Sequence, residues 1–299
     1  MGTKASKDMG AKAENPITKV IKRERRTLES MAIPAESYPQ QDSTNLLVIG
    51  ASNTEKTRSL RTIPRTWLPW DGSPEREFRV LGIDADGRLS VLDLSNRPGW
   101  KIISLPINFH DPSEIEATHE DIVYGLAKLK PEKKPDLIFY DSTTPMSENI
   151  ENYTWKSVAG DEYSRAWDQN EKRYGMVTNI LKLIIFGLKA NCQFFVLIAH
   201  EQEPAWQELK ENATKARYKP ALIGSIKNLL PKLFQEVYFT QWNDGEWQWL
   251  TQQVGQREPR TCYPLKKYIP QDYSIMINRR WAEYTDPGKV KDEKGGENK

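Results

Sequence analysis

The sequence predicts an α/β protein built on a mainly parallel sheet with helices on both faces. Short apolar runs typical of buried strands alternate with segments of helical periodicity, and polar residues follow several of these runs where each strand would end. The runs are NLLVIG (45–50), FRVLGIDAD (78–86), WKIISLPI (100–107), PDLIFYDS (135–142) and CQFFVLIAHE (192–201).

Helices are predicted over KTRSLRTI (56–63), over 113–130 behind a cap-like Asp-Pro-Ser, and over 170–190 with an apolar face. Two further runs, 233–242 and 246–254, are joined by Asn-Asp-Gly and predict a C-terminal β-hairpin. Because ligands of parallel sheets bind at the carboxyl ends of strands, we expect functional residues at those ends.

Composition narrows the class of protein. Of the 299 residues, 38% are hydrophobic and 28% are charged, which is polar for a globular protein but not a disordered composition. The net charge of +2 does not predict a nucleic-acid partner, so that hypothesis depends on a local basic patch. Cys192 and Cys262 lack zinc-ligand or disulfide-scaffold spacing, which favours a reducing, intracellular setting. No run approaches the ~18 apolar residues of a membrane span.

Three segments are predicted along the chain. Residues 1–42 form a charged arm that either stays solvated or contacts nucleic-acid phosphates through KVIKRERR. Residues 43–283 form one domain, and residues 284–299 form a disordered, charged tail.

The first candidate site is the loop after the first strand. Gly50, Lys56 and Thr57 match the phosphate-binding pattern G-x-x-x-x-G-K-[ST], with Glu55 in place of the second glycine. In such loops backbone N–H groups point at phosphate, the lysine reaches the outer phosphates and the hydroxyl ligates Mg²⁺. Glu55 must tolerate a backbone usually reserved for glycine, and a structural turn remains the alternative. The predicted nucleotide-binding residues are Gly50, Ala51, Ser52, Asn53, Thr54, Glu55, Lys56, Thr57 and Arg58.

Three other strand ends carry candidate catalytic residues. Asp141 ends LIFYD and has the position of an acid that holds Mg²⁺, although it could equally cap a turn. Asp84 and Asp86 end GIDAD, where a carboxylate could orient the attacking water, or where an Asp-x-Asp-Gly turn could form. His200 ends LIAH, either sensing the γ-phosphate or serving as a hydrogen-bonded structural residue.

The order of LLVIGASNTEKTRSLRTIP, VLGIDADGRLSVL, DLIFYDSTTPM and the later AHE and YIPQDY resembles the phage-type RecA-like AAA-family ATPases. These include phage single-strand annealing and recombination proteins. The resemblance covers residues 45–281. It implies a RecA-like P-loop core that binds ATP and Mg²⁺, assembles as a ring or filament on single-stranded DNA, and works in the host cytoplasm, with a phage or host single-strand binding protein as a further partner.

The resemblance also implies residue roles. Lys56 would bind phosphate, Thr57 and Asp141 would hold Mg²⁺, Asp86 would occupy the place of a catalytic glutamate, and His200 would sense the γ-phosphate. Glu55 for glycine and Asp86 for glutamate are departures from the family pattern. Two hypotheses follow: a DNA-dependent ATPase in annealing, recombination or replication, or a degenerate P-loop protein with a structural or partner-binding role.

A basic-aromatic stretch after His200 predicts single-strand binding, since such sites combine cations for phosphates with rings for bases. An ordinary solvated loop and helix is the alternative. The predicted nucleic-acid residues are Lys210, Lys215, Arg217, Tyr218 and Lys219.

Overall fold

The fold is described from a computed structural model, over residues 44–69, 72–105, 112–159, 170–213 and 215–286. Chain contacts divide the protein into Met1–Gln40 and Gln41–Lys299. The predicted arm, 1–42, lies outside the described residues, as do residues 287–299 of the predicted tail. Within that predicted tail, Tyr284 ends a short 3₁₀ helix and Thr285 bridges to Leu265.

The described residues form a nine-stranded, mostly parallel sheet and a separate two-stranded ribbon of β2 and β3. The strands of the large sheet lie in the order β11, β10, β9, β1, β7, β6, β4, β5, and β8 pairs with the end of β7. The strands are β1 Thr44–Gly50, β2 Thr66–Trp67, β3 Arg76–Glu77, β4 Val80–Asp84, β5 Trp100–Ser104, β6 Leu137–Asp141, β7 Phe194–Gln202, β8 Lys219–Pro220, β9 Glu236–Asn243, β10 Glu246–Leu250 and β11 Tyr268–Pro270.

The strand register aligns the carboxyl ends of the central strands. β7 lies between β1 and β6 and is parallel to both, with Gly50 opposite His200. On the far side of β6, Asp141 lies opposite Asp84 of β4. The ends that carry the predicted site residues therefore meet at one edge of the sheet.

Two hydrophobic clusters cover the two faces of this sheet. Side chains of a strand alternate between faces, so Leu47 and Ile49 pack in one cluster while Leu46 and Val48 pack in the other. The first cluster includes side chains of the long helices, and the second includes Leu60 and the segment around Tyr273. The helices are α1 Lys56–Ser59, α2 Pro112–Lys128, α3 Thr143–Ala159, α4 Asn170–Lys189, α5 Trp206–Asn212, α6 Ile226–Leu229 and α7 Tyr273–Ile277.

The predicted α/β class, mainly parallel sheet and C-terminal hairpin are confirmed. The helix predicted over 56–63 is shorter: α1 ends at Ser59 and a 3₁₀ turn, Leu60–Thr62, follows. Pro64 explains this end, because a proline disfavours helical backbone in the preceding residue, and Ile63 is extended at ψ 125°. Helix α3 was not predicted. In the part of the chain that is described, no helix combines the length and the apolar character needed to cross a membrane.

Candidate functional site

The loop between β1 and α1 adopts a left-handed backbone at two non-glycine positions. Asn53 has φ 62° and Glu55 has φ 59°. Left-handed backbone costs an L-residue roughly 1–2 kcal/mol, and asparagine tolerates it better than glutamate. Glu55 thus takes the conformation that the motif's glycine would take, and the substitution leaves the turn in place.

The neighbouring strand fixes the start of the loop. A Cβ atom added to Gly50 would lie 1.7 Å from the Thr240 hydroxyl oxygen, so only glycine fits there. That hydroxyl donates a hydrogen bond to Thr54 Oγ1 at 2.7 Å, and the Thr54 hydroxyl donates to the Ala51 carbonyl at 2.9 Å. Gln271 Nε2 donates to the Thr54 carbonyl at 3.1 Å. Contacts from β9 and from residue 271 therefore hold the loop in its conformation.

The Lys56 side chain lies inside the loop and is 6% exposed. Its Nζ donates to the carbonyl oxygens of Gly50 (2.9 Å) and Ala51 (2.5 Å), and to Thr54 Oγ1 (3.3 Å). Burial lowers the Lys56 pKa to about 8, although the nearby Asp141 carboxylate favours the charged form. A buried cation whose hydrogen-bond acceptors are neutral oxygens is a good partner for an anion.

The Glu55 carboxylate is engaged at the surface. It accepts a hydrogen bond from Arg58 Nη1 at 3.1 Å, and both side chains are largely exposed. The pair places a positive group beside the carboxylate whose charge would repel phosphate. We infer that Glu55 weakens the electrostatic attraction of the loop for anions without blocking it.

Asp141 lies next to the loop hydroxyl. The Thr57 hydroxyl donates to Asp141 Oδ2 at 2.5 Å, and Asp141 is 2% exposed. Burial raises the Asp141 pKa to about 6, with a further contribution from Asp86. A hydroxyl and a carboxylate are hard oxygen donors of the kind that Mg²⁺ selects. Within the described residues no three His, Cys, Asp or Glu side chains group as a metal site.

Asp86 and His200 meet across the strand ends. Asp86 Oδ2 lies 3.2 Å from His200 Nε2 and accepts a hydrogen bond from the Ser142 hydroxyl at 3.0 Å. Burial by itself would raise the Asp86 pKa, but these two hydrogen bonds outweigh it, and the pKa lies below its ordinary value. Asp86 is therefore an ionised carboxylate at neutral pH. Among the described residues, His200 Nδ1 has no hydrogen-bond partner although it is buried.

Asp84 has a different role from Asp86. Its carboxylate accepts hydrogen bonds from the backbone N–H groups of Arg88 (3.2 Å) and Leu89 (3.3 Å). The turn interpretation of Asp-x-Asp-Gly thus holds for Asp84, whereas Asp86 faces the site. The pattern at this strand end could not separate the two carboxylates, and only the family resemblance pointed to Asp86.

These groups surround a cavity of about 380 Å³. Most of the predicted nucleotide and catalytic residues contribute to its wall, while Gly50 and Ala51 contribute the carbonyls that hold Lys56. Arg88, Val91, Ser142, Thr240 and Gln271 were not predicted. Arg88 and Val91 lie within VLGIDADGRLSVL, which the sequence analysis quoted without assigning them a role, but Thr240 and Gln271 carry no local signal. The lining residues are Asn53, Thr54, Glu55, Lys56, Thr57, Arg58, Asp86, Arg88, Val91, Asp141 and His200.

The predicted nucleic-acid residues are partly engaged within the protein. Lys219 Nζ donates to Glu208 Oε1 at 2.8 Å, and Arg217 pairs with Glu258. The Arg257 guanidinium lies 4.3 Å from the centre of the Tyr218 ring.

Lys210 and Lys215 are exposed. Arg217, Tyr218 and Lys219 line a second cavity of about 500 Å³, to which Lys227, Lys232 and Arg260 also contribute. This surface is therefore basic, although Glu258 and Glu208 offset part of its charge.

The comparisons with known proteins are negative: neither the protein-family models nor the curated proteins searched contain a match to this chain.

Proposed function

We propose that this chain is a RecA-like P-loop protein that binds magnesium–ATP in the loop 50–57. The observation that carries the proposal is the position of Lys56, whose buried ammonium lies inside a loop that keeps a left-handed backbone at Glu55. A triphosphate would provide the anionic partner that Lys56 lacks, since its hydrogen-bond acceptors are two carbonyls and a hydroxyl.

The residues beside the loop fit the metal that accompanies ATP. Thr57 and Asp141 would hold Mg²⁺ through oxygen atoms that already lie 2.5 Å apart. The bound ion would neutralise phosphate charge and so offset the carboxylates nearby. The parallel sheet, with the loop at the carboxyl end of β1, supports the RecA-like assignment at the level of architecture.

Hydrolysis of ATP is proposed to depend on Asp86 and His200. The ionised Asp86 carboxylate can orient a water molecule and accept its proton. His200 fixes Asp86 through the 3.2 Å contact and lies on the strand between the loop and Asp141, where it can sense the outer phosphate.

A binding-only role is the second candidate, and one observation favours it. Asp86 already has two side-chain partners, His200 and Ser142, and its carboxylate is one methylene shorter than the glutamate that the family resemblance implies. A water molecule would therefore have to approach a carboxylate that is partly engaged.

Single-stranded DNA is the proposed macromolecular partner, in phage annealing, recombination or replication, with assembly into a homo-oligomer and contact with a single-strand binding protein. Support comes from the cavity lined by Arg217, Tyr218 and Lys219 and from the exposed Lys210 and Lys215. Affinity for an oligonucleotide should fall as salt rises, and replacing Lys210 and Lys215 by alanine should reduce that salt slope. No mobility shift at low salt would remove this partner.

Calorimetric titration of magnesium–ATP tests the nucleotide site. Wild type should bind, Lys56→Ala should not, and Lys210→Ala, which removes an exposed lysine outside the loop, should bind as wild type does. Equal binding by wild type and Lys56→Ala would exclude the loop as the site.

A phosphate-release assay then separates the two candidates. An ATPase requires turnover by wild type that Lys56→Ala and Asp86→Asn both abolish. Binding without turnover, or equal background rates in all three proteins, would leave the binding-only role.

A further inference from the structure

The hairpin of β9 and β10 holds two tryptophans at its tip. Trp242 and Trp247 are directly opposite each other, with ring centres 5.5 Å apart and planes at 74°. The turn is made by Asp244 and Gly245, at φ 49° and 86°, as in tight two-residue hairpins. The register of the pair is therefore fixed by the backbone, yet Trp242 is 57% exposed.

The hairpin continues alongside the phosphate loop. β9 is parallel to β1 with Ile49 opposite Phe239, so Thr240 lies beside Gly50 and reaches Thr54. Side chains alternate along a strand, which places Trp242 on the same face as Thr240 and about 7 Å farther toward the carboxyl end. The tryptophan pair thus lies beyond the end of β1, on the face from which Thr240 contacts the loop.

The proposed site also gives the bound triphosphate a direction. The groups for the metal and the outer phosphate, Asp141 and His200, lie on β6 and β7, to one side of β1. β9 is the neighbour of β1 on the other side. A triphosphate that crosses the loop along the edge of the sheet, with its outer phosphate toward Asp141, places its nucleoside on the β9 side of the loop.

We propose that the exposed ring of Trp242, held edge-to-face against Trp247, is the platform on which the base of the nucleoside triphosphate stacks. This inference depends on the proposed function, because it assigns the base end of the same ligand. Exposed aromatic faces bind any base through its π-face, and a rigid pair costs little ordering when it does so. The platform therefore distinguishes a nucleotide from a bare polyphosphate, which the loop alone cannot do.

The test compares magnesium–ATP with magnesium–tripolyphosphate, which lacks the nucleoside. Wild type should bind ATP more tightly than tripolyphosphate by roughly 5- to 150-fold, the range for one stacked base. Trp242→Ala should lose most of that factor for ATP and keep the wild-type affinity for tripolyphosphate. Trp242→Phe should retain most of the ATP affinity, and ATP should change the tryptophan fluorescence of wild type.

Trp206→Ala is the matched control, because Trp206 is 76% exposed and belongs to α5 and not to the hairpin. It should leave both affinities and the ATP-induced fluorescence change as in wild type.

The outcomes separate the two proposals. ATP binding that Trp242→Ala leaves unchanged would overturn the platform and keep the nucleotide site. Equal weakening of ATP and tripolyphosphate would also overturn it, because Trp242 would then support the loop and not the base. Binding of neither probe to wild type would remove both proposals.

Discussion

Replacing Glu55 tests whether the loop keeps its left-handed backbone in solution. In a helix or strand, a protein with alanine at a given position is more stable than one with glycine by about 0.5–1 kcal/mol, because glycine loses more conformational freedom on folding. At φ 59° alanine keeps a strain of roughly 1–2 kcal/mol that glycine does not have. The order should therefore reverse, with Glu55→Gly more stable than Glu55→Ala by about 0.7 kcal/mol at the middle of these ranges.

Comparing the two variants isolates the effect of the backbone conformation at position 55. Both lose the exposed contact with Arg58, so its small contribution cancels between them. For a domain of this size the difference corresponds to about 1–4 °C in Tm, which scanning calorimetry or urea unfolding can resolve. Arg58 in α1 is the matched control. Its backbone is helical, so Arg58→Ala should be more stable than Arg58→Gly.

A result in which Glu55→Ala is more stable than Glu55→Gly by the usual amount of about 0.5–1 kcal/mol would refute the left-handed conformation and, with it, the phosphate-loop geometry. The same variants extend to ligand binding. Glu55→Gly removes a carboxylate near the phosphates and keeps the backbone, so it should bind magnesium–ATP at least as tightly as wild type.

Because burial raises the Asp141 pKa to about 6, protonated Asp141 stabilises the folded state below about pH 4, and this stabilisation is lost as pH rises through 6. The affinity for magnesium–ATP should rise as Asp141 loses its proton over this pH range, and titrations at pH 5 and 7.5 should show no such rise for Asp141→Asn. Gly82→Ala should cost about 1–3 kcal/mol in urea unfolding, since the added Cβ would lie 2.3 Å from Phe139, whereas Gly125→Ala in α2 meets no atom within 4 Å and should be neutral or stabilising. Arg257→Ala should lower the free energy of unfolding by about 2–3 kcal/mol in the same assay, because it leaves the buried Glu201 carboxylate without its two hydrogen bonds. Adding Glu201→Gln to this variant should recover part of the loss, because it removes the unpaired charge.

The elements of this fold could be predicted locally. The apolar run before Gly50 and the spacing from Gly50 to Lys56 are properties of neighbouring residues, and they indicated a strand and a phosphate loop. Asp141 and His200 were recognised in the same way, as polar residues that follow apolar runs. Helix α3 was missed because its sequence is more polar on average than the sequences of α2 and α4, which were predicted.

The tertiary structure decided how these pieces meet. Asp86 and His200 are 114 residues apart, and they are in contact because β6 pairs with both β4 and β7, an order that no local pattern encodes. Thr240 likewise reaches the loop only because β9 pairs with β1. The sequence by itself determined which residues could form a phosphate loop with glutamate in place of glycine. The order of the strands in the sheet decided that this loop is held in place, because Thr240 contacts the loop from a strand far away in the sequence.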